Sequence, residues 1–542
     1  MLRVSVCVFV CVGVCHSVSV SEIISVREEE EENICKRRDD GSWKKIKERE
    51  GKDCRQAFTG KHTSVHTSVH TSVHTSVHTS VHTPVHTPVH TSVHTTEYIY
   101  KKHNYRNPCS VINRCLCVCR VSVLYVERCP QHRWRCAEVT FTCSEAALCQ
   151  RWVNSIREQL SAITSRPKQL LVYINPYSGK RQGKRIYEQK VAPLFAQAGV
   201  STHVIATEHA DYARDHLRTE AELKKFDGVV CVGGDGMFSE IIHGLIWRTQ
   251  IDGGVDPNCA DEALLPCSLR IGIIPAGSTD CICFATVGTN DPVTSALHII
   301  VGDSQPMDVC SVHHNNIFLR YSVSLERKRW MGPARYDLSG VKMFLTHHYY
   351  EGAVSYLPAR GIMGTPRDAA RCRSGEGEWR TIRGKFLAIN AASMSCACPR
   401  SPKGLSPAAH LSDGTTDLIL VRKCSRFDFL RHLLRHTSKD DQFDLNFVEV
   451  HRVRRFCFTP RHCQSDSDLD LRENGKHQIF SQICRDHPAC GCAPAYSSWN
   501  CDGEILTHTA IDVRVQSNLI RLFARGIEEP TVFEDLTSPC AI

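Results

Sequence analysis

The sequence lacks any run of roughly 18–20 consecutive apolar residues, the length that a helix needs to span a bilayer. It also lacks an extreme of composition, because hydrophobic residues make up 42% and charged residues 23% of the chain. Both fractions are ordinary for globular domains. The 542 residues therefore predict a globular protein of roughly two to four domains, without a membrane-spanning helix.

Cysteine, by contrast, is abundant, with 30 residues. In a secreted protein this number would indicate a disulfide framework, but here several cysteines lie in valine-rich runs and the others are scattered along the chain. We therefore expect reduced thiols and a cytoplasmic location. Arg3, followed by the apolar residues 4–14, has the outline of a signal peptide, and this alternative stays open. The net charge of +8 is compatible with an anionic membrane surface or with phosphate ligands, and it establishes neither.

A repeat of period four fills residues 62–95, where His-Thr-Ser-Val and His-Thr-Pro-Val units follow one another. Without large apolar side chains it cannot build a core, so we expect a disordered insert; metal binding by its histidines is the alternative. Strands are predicted at 19–26 and 137–142, and a helix at 144–160. Strands closed by one amphipathic C-terminal helix resemble a pleckstrin-homology (PH) domain, here incomplete and interrupted.

The predicted helix at 144–160 has a candidate N-cap and an apolar face. Ser144 can cap it, and an apolar side chain recurs at every fourth position. These apolar side chains are Leu148, Trp152, Ile156 and Leu160.

Beyond residue 166 three buried strands are predicted, at 170–174, 229–232 and 271–274, and each ends in a loop rich in small residues. The loops read NPYSGK, GGDG and PAGSTD. The carboxyl ends of parallel strands share one edge of a sheet, where helix N-termini and glycine-rich turns bind phosphate. The first loop fits neither the Walker A spacing nor G-x-G-x-x-G. We therefore expect a phosphate site of another kind.

These three motifs at these separations resemble the diacylglycerol-kinase catalytic family, which includes sphingosine kinases, ceramide kinases and bacterial lipid kinases. The segments TEHADYARDHL, SPAAHLSDGTTDLILVRKCSRFDFL and SSWNCDGE are most similar to the ceramide-kinase branch. The resemblance covers about residues 166–529. It implies an enzyme that transfers phosphate from ATP to the primary hydroxyl of ceramide, with Mg²⁺. Sphingosine or diacylglycerol kinase activity is the alternative within the family.

The resemblance also implies roles for individual residues. Asp235 would be the catalytic base, and the glycine loop would border the substrate, through Gly233, Gly234, Asp235 and Gly236. The ATP-binding residues would be Asn175, Pro176, Tyr177, Thr207, Glu208, His209, Ala210, Asp211, Glu240, Gly277, Arg329, Arg335, Asp502, Gly503 and Glu504.

The predicted organisation has three parts: an interrupted PH-like region at 1–165, an α/β nucleotide-binding half at 166–310 and a β-sandwich half at 311–535 that holds the lipid. ATP would lie between the two halves. Strands are predicted from alternation and apolar runs at 318–324, 354–357, 385–391, 418–421, 448–458 and 511–515. By resemblance the protein is peripheral on Golgi or plasma membranes. Phosphoinositides and calmodulin are further partners that the resemblance allows, and no nucleic acid is expected.

One segment departs from the family pattern, and one cluster of residues suggests metal binding. Leu325 is followed directly by Glu326, where the family has a glycine- and aromatic-rich segment that binds the lipid headgroup. A catalytically impaired lipid-binding protein is therefore an alternative. Cys484, His487, Cys490 and Cys492 resemble a zinc cluster, but the spacing is too tight to surround one ion easily. We expect no structural metal.

Overall fold

The computed structural model describes residues 5–8, 16–30, 35–37, 43–45, 119–143, 146–259, 262–326, 349–359, 378–399, 401, 403–436, 441–460, 499–502 and 504–528. Several predictions concern residues outside these ranges: the 62–95 repeat, the cap at Ser144 and the Cys484–Cys492 cluster. Of the segment 4–14, only residues 5–8 are described. The chain forms two compact units, one of residues 1–128 with 134–166 and one of residues 129–133 with 167–542.

Where the structure describes it, the first unit contains small antiparallel sheets, one 3-10 turn (Val20–Glu22) and one α-helix. Its described elements are β1 (Ser5–Val8), β2 (His16–Ser19), β3 (Ile23–Glu30), β4 (Cys35–Arg37), β5 (Trp43–Lys45), β6 (Cys119–Cys129), β7 (Arg133–Cys143) and α1 (Ala146–Ala162). The central sheet has the order β3-β6-β7, and β3 pairs antiparallel with β6. The described part of this unit therefore has the PH-like sequence of strands followed by one helix.

The helix α1 buries a stripe that differs from the predicted one. Cys149, Val153 and Ile156 are buried against β3 and β6, whereas Trp152 and Leu160 pack only at the margin of this core. The predicted spacing of four drifts around a helix of 3.6 residues per turn, so only part of it faces the sheet.

The second unit begins with alternating strands and helices. They are β8 (Gln169–Ile174), α2 (Gly183–Ile186), a π-helical turn (Tyr187–Val191), α3 (Ala192–Gln197), β9 (Ser201–Ala206), α4 (Tyr212–Thr219), β10 (Gly228–Gly233), α5 (Asp235–Asp252), β11 (Arg270–Pro275), α6 (Cys281–Val287) and α7 (Pro292–Val301). The three strands predicted here are confirmed to within one residue at each end. Their continuous apolar runs are buried on both faces, as in parallel sheets covered by helices.

The strands of this α/β half lie parallel in the order β9-β8-β10-β11. The loops that follow β8, β10 and β11 therefore reach the same edge of the sheet. The helix after β10 starts two residues earlier than residue 237, where it was predicted, so Asp235 is its first residue.

The C-terminal part is rich in strands. It contains β12 (Ser304–His314), β13 (Ile317–Ser322), β14 (Ser324–Glu326), β15 (Tyr350–Pro358), β16 (Arg380–Ala392), β17 (Thr416–Arg422), α8 (Arg426–Arg435), β18 (Val448–Pro460), β19 (Trp499–Cys501), β20 (Glu504–Leu506) and β21 (Ile511–Phe523). The predicted strands of this region are confirmed, with 318–324 divided into β13 and β14. The division at 166–310 and 311–535 stays a prediction.

The sheet of the C-terminal part curls because two long strands change partners along their length. β16 pairs first with β15 and then with β17, and β18 pairs with the same two strands in the opposite sequence. Such switching makes the corners of sheets packed face to face. Apolar side chains of all four strands meet in one buried core, which includes Val354, Phe386, Leu418 and Phe456.

The last strand connects the two halves of the second unit. The backbone of β21 pairs with β12 and β18 and, at Arg521 and Leu522, runs parallel to β11. The parallel strands and the curled sheet therefore belong to one hydrogen-bonded sheet. Within the described residues, no helix has the length and apolarity needed to cross a bilayer.

Candidate functional site

The three strand-end loops meet at the carboxyl edge of the parallel sheet, as predicted. The backbone N–H of Asn175 donates to Val232 O, and that of Ala276 donates to Gly233 O, both at 3.0 Å. A Cβ at Gly179 would lie 2.6 Å from Ala276 O, and a Cβ at Gly277 would lie 2.6 Å from the Cα of Gly234. The loops therefore approach so closely that only glycine fits at these contacts.

Asp235 is held at the junction of the second and third loops. Its Oδ2 accepts the N–H of Cys281 and its Oδ1 accepts the N–H of Ile282, each at 3.2 Å. Cys281 is the first residue of α6. Asp235 itself begins α5, so its carboxylate lies near the positive ends of two helices.

The first and third loops place their predicted ATP residues beside this junction. Asn175 and Pro176 follow β8 directly, and the Oδ1 of Asn175 accepts the N–H of Tyr177 at 2.9 Å. The Tyr177 side chain is 66% exposed. Gly277 lies against Gly234, whereas a Cβ at Gly236 would meet nothing within 4 Å. The glycine loop is thus packed on one side and open on the other.

The segment 207–211 lies at the same edge, after β9. Thr207 is buried and its N–H donates to Ile174 O at 2.9 Å. Glu208, His209 and Ala210 lead to Asp211, which pairs with Arg214 at 2.9 Å. The structure therefore brings this predicted segment next to the end of β8.

Glu240 connects α5 to that segment. Its carboxylate accepts the backbone N–H groups of Asp211 and Ala213, and burial raises its pKa. Its Oε2 is buried and has no hydrogen-bond partner among the described residues. A buried polar atom without a partner suits a ligand that supplies one.

The late Asp-Gly-Glu turn is anchored to the same helix. Asp502 Oδ2 accepts the N–H of Val323 at 3.0 Å, and Glu504 forms an ion pair with Arg320. Arg320 also donates to the Oγ of Ser239 at 3.3 Å. Ser239 lies one helical turn after Asp235 in α5. Gly503, Arg329 and Arg335 lie outside the described residues, so their predicted roles are neither supported nor opposed.

Three family descriptions match the chain. They are the ceramide kinase PH domain over residues 61–156, the diacylglycerol kinase catalytic domain over residues 169–312 and the ceramide kinase C-terminal domain over residues 320–541. Human ceramide kinase is 57% identical over 444 residues, which cover 74% of this chain and 82% of the human protein. This chain belongs to the ceramide kinase family. The resemblance seen in the sequence is confirmed.

The chain is also similar to a second mammalian protein and to a solved bacterial structure. Mouse ceramide kinase is 54% identical and covers 74% of this chain and 83% of its own length. A crystal structure of a putative diacylglycerol kinase from Bacillus anthracis str. Sterne covers 68% of this chain and 99% of that chain, with a TM-score of 0.45 and 14% identity.

Two residues of this ceramide kinase family member were missed by the sequence analysis. The first is Asp280, which is buried with a left-handed backbone and accepts the N–H of Gly277 at 3.0 Å. Burial, and then the negative charge of Asp235, raise its pKa to about 7. Its position in the third loop, after a strand and small residues, matches that of Asp235 in the second loop and is the signal that was available.

The second missed residue is Arg320, in β13. Only 11% of its side chain is exposed. Burial lowers the pKa of Arg320, and the negative charges of Asp502 and Asp211 partly oppose that shift. A single arginine in the apolar run IFLRYS was the available signal, because a buried arginine requires anionic partners.

Proposed function

We propose that this chain transfers the γ-phosphate of ATP to the primary hydroxyl of ceramide and releases ceramide 1-phosphate and ADP. The observation that carries the proposal is the position of Asp235, at the junction of three strand-end loops in a member of the ceramide kinase family. No other described carboxylate combines a helix N-terminus, an open glycine loop and this family motif.

Asp235 is proposed to take the proton of the attacking hydroxyl. As the bond between the hydroxyl oxygen and the γ-phosphorus forms, the bond from that phosphorus to the β-phosphate oxygen breaks and ADP leaves. The N–H groups of Cys281 and Ile282 orient the carboxylate. A positioned carboxylate is sufficient here, because phosphoryl transfer depends mainly on alignment and charge stabilisation.

ATP is proposed to bind along the first and third loops and the segment 207–211. Glycine at Gly179, Gly234 and Gly277 keeps the loop backbones close together, and glycine-rich loops at strand ends let an anionic ligand approach the backbone. Glu240 and Asp211 are carboxylates on the nucleotide side, and Arg320 is a cation beside them. Arg329 and Arg335 stay predicted phosphate contacts.

Mg²⁺ is proposed to be held by Asp502 and Glu504 together with the phosphates. Mg²⁺ usually takes only one or two protein carboxylates and completes its octahedron with phosphate oxygens and water. The two carboxylates on one turn fit this requirement, and no group of three or more potential metal ligands occurs within the described residues. When bound, the ion would neutralise negative charge that develops on the phosphates.

Ceramide is proposed to enter beside Gly233, Gly234 and Gly236. The family departure after Leu325 begins beside the Asp-Gly-Glu turn, because β14 pairs with β19 through Leu325 and Cys501. The strand on which the departure begins is therefore paired with the strand that leads into the Asp-Gly-Glu turn. A catalytically impaired lipid-binding protein, or a kinase for sphingosine or diacylglycerol, is the alternative.

Membrane association is proposed to place the site at its substrate. The match to a ceramide kinase PH domain supports lipid binding by the first unit. Phosphoinositide recognition, calmodulin binding and a cytoplasmic position at Golgi or plasma membranes are further proposals that follow from the resemblance.

The proposal is tested by phosphate transfer from labelled ATP to ceramide, sphingosine and diacylglycerol in mixed micelles. We expect selective labelling of ceramide, reduced at least about a hundredfold by Asp235→Asn. Asp252→Asn, at the exposed end of the same helix, is the matched control. Preferred labelling of another lipid would overturn the substrate, and transfer by Asp235→Asn at the wild-type rate would overturn the base. No transfer by folded, ATP-binding protein would favour the impaired alternative.

A further inference from the structure

The strand β9 lies at one end of the large sheet. It pairs with β8 on one side, and among the described residues no strand pairs with its other side. The three parallel strands beside it, β8, β10 and β11, are buried over nearly their whole length. Most of β9 is exposed, and Val204 near its centre is 43% exposed. The outer side of β9 is therefore open to solvent.

The pairing with β8 shows which backbone groups point outward. The N–H of Ser201 donates to Lys168 O at 2.8 Å, on the β8 side. Successive residues of a paired strand direct their backbone groups to opposite sides, so residues at even positions direct their N–H and C=O groups away from β8. These residues are Thr202, Val204 and Ala206. The outer side of β9 thus carries a regular row of donors and acceptors.

This edge lacks the features by which proteins prevent pairing between sheets. Those features include charged side chains, proline, bulges and very short edge strands. The sequence of β9, STHVIA, contains no Lys, Arg, Asp, Glu or Pro, and its register with β8 is continuous. At the other end of the sheet, β20 has only three residues and includes Glu504. The six residues of β9 are therefore suited to accept another strand.

We propose that β9 pairs antiparallel with β9 of a second copy of this chain, about a two-fold axis at Val204. In this register Val204 lies opposite Val204 of the second copy, and Thr202 lies opposite Ala206. Each outward N–H then meets an outward C=O, and no two charged side chains of residues 200–208 face each other. A two-fold interface uses the same patch on both copies, so the two parallel sheets continue into one another.

A second copy suits this edge better than a free peptide does. β9 is already held in the extended conformation by β8, so two such edges pair without ordering either chain. A free peptide loses conformational entropy when it binds as a strand, and this loss opposes binding. The inference is independent of the proposed kinase activity, and its test uses neither ATP nor lipid.

Sedimentation velocity of the full chain over a range of protein concentrations tests the proposal. We expect the wild type to form dimers as concentration rises. Val204→Lys places two like charges opposite each other at the two-fold axis, which disfavours strand pairing. We expect it to raise the dimer dissociation constant at least about tenfold. A wild type that stays monomeric at every concentration would overturn the proposal, and so would a Val204→Lys variant that dimerises as the wild type does.

A mixture of two variants tests the register. Val204→Lys and Val204→Glu should each be monomeric alone, whereas an equimolar mixture should dimerise, because opposite charges then face each other at the axis. Val450→Lys, which changes a valine 36% exposed in β18, is the matched control and should dimerise as the wild type does. No recovery in the mixture would contradict an axis at Val204.

Amide hydrogen exchange in the wild type locates the interface. Exchange of the Val204 amide should slow as protein concentration rises, because its N–H becomes paired only in the dimer. Exchange of the Ile205 amide, which points to β8, should change little. Slow exchange at Val204 in a monomer at all concentrations would show that another segment of the same chain covers the edge, and the proposal would then be wrong.

Discussion

Asp235 and Cys281, the first residues of α5 and α6, are hydrogen-bonded to each other: Oδ2 of Asp235 accepts the N–H of Cys281 at 3.2 Å. One carboxylate thereby terminates the second loop and caps the helix that follows the third. A residue proposed as the catalytic base also holds two loops in register. Its substitution should therefore be interpreted with a measurement of folding beside the measurement of rate.

Asp280→Asn should change how stability depends on pH. The folded-state pKa of Asp280 is raised to about 7 from 3.8, so the folded state favours the protonated form. Its stabilising contribution is present at low pH and is lost as pH rises through about 7. We expect the free energy of unfolding of the variant, relative to wild type, to rise by about 3 kcal/mol between pH 5 and pH 8.

Urea unfolding at the two pH values measures this difference. Asp252→Asn, which removes an exposed carboxylate of α5, is the control for the loss of a carboxylate elsewhere. An Asp280→Asn difference of the same size at pH 5 and pH 8 would contradict the raised pKa.

Arg320→Ala should weaken ATP binding, because it releases Glu504 and removes the donor to Ser239. We expect the KM for ATP to rise about tenfold or more. Arg320→Lys should recover only part of the effect, since an ammonium group cannot reach both partners in the planar geometry of a guanidinium.

Steady-state kinetics with varied ATP check this role. Arg248→Ala, which breaks an ion pair with Asp252 on the same helix, should leave the KM for ATP unchanged. A lower unfolding temperature of Arg320→Ala with an unaltered KM for ATP would show that the arginine only supports the fold.

Gly277→Ala should force the second and third loops apart. The added Cβ would lie 2.6 Å from the Cα of Gly234, a backbone atom that cannot rotate away. We expect a loss of about 1–3 kcal/mol in unfolding free energy, together with weaker ATP binding.

Gly236→Ala is the control for stability, because its Cβ would meet nothing within 4 Å. Thermal unfolding and nucleotide titration distinguish the variants. Equal unfolding free energies of Gly277→Ala and wild type would mean that the loops can separate at no cost in stability. The close packing of the two loops would then not stabilise the fold.

Glu240 should show two separable roles. Glu240→Ala removes the acceptor of two N–H groups at the start of α4, which we expect to cost about 0.5–2 kcal/mol, as for a lost helix cap. Glu240→Gln keeps an acceptor, so stability should return. If the carboxylate contacts ATP, the KM for ATP stays raised in the glutamine variant.

Calorimetric unfolding and ATP kinetics on both variants provide the comparison. A glutamine variant with wild-type stability and a wild-type KM would limit Glu240 to capping. Stability lost equally in both variants would instead argue against the cap.

Sequence reasoning succeeded where a pattern is local. The strands that became β8, β10 and β11 were predicted because each is a short apolar run before a small-residue loop, and a strand buried on both faces requires such a run. It was less accurate for α1, whose buried stripe of Cys149, Val153 and Ile156 depends on how the helix is rotated against its sheet. Rotation is decided by packing, which no local pattern contains.

The sequence by itself determined the family, the order of the strands and helices, and the loop that carries Asp235, because these depend on residue type and spacing along the chain. Only the tertiary structure decided that Asp280 and Arg320 belong to the candidate site. Asp280 matters because burial and the neighbouring charge of Asp235 raise its pKa. Arg320 matters because β13 brings it to Glu504, which lies 184 residues away in the chain. Desolvation and long-range charge pairing arise from the fold, so they cannot be read from the residues one after another.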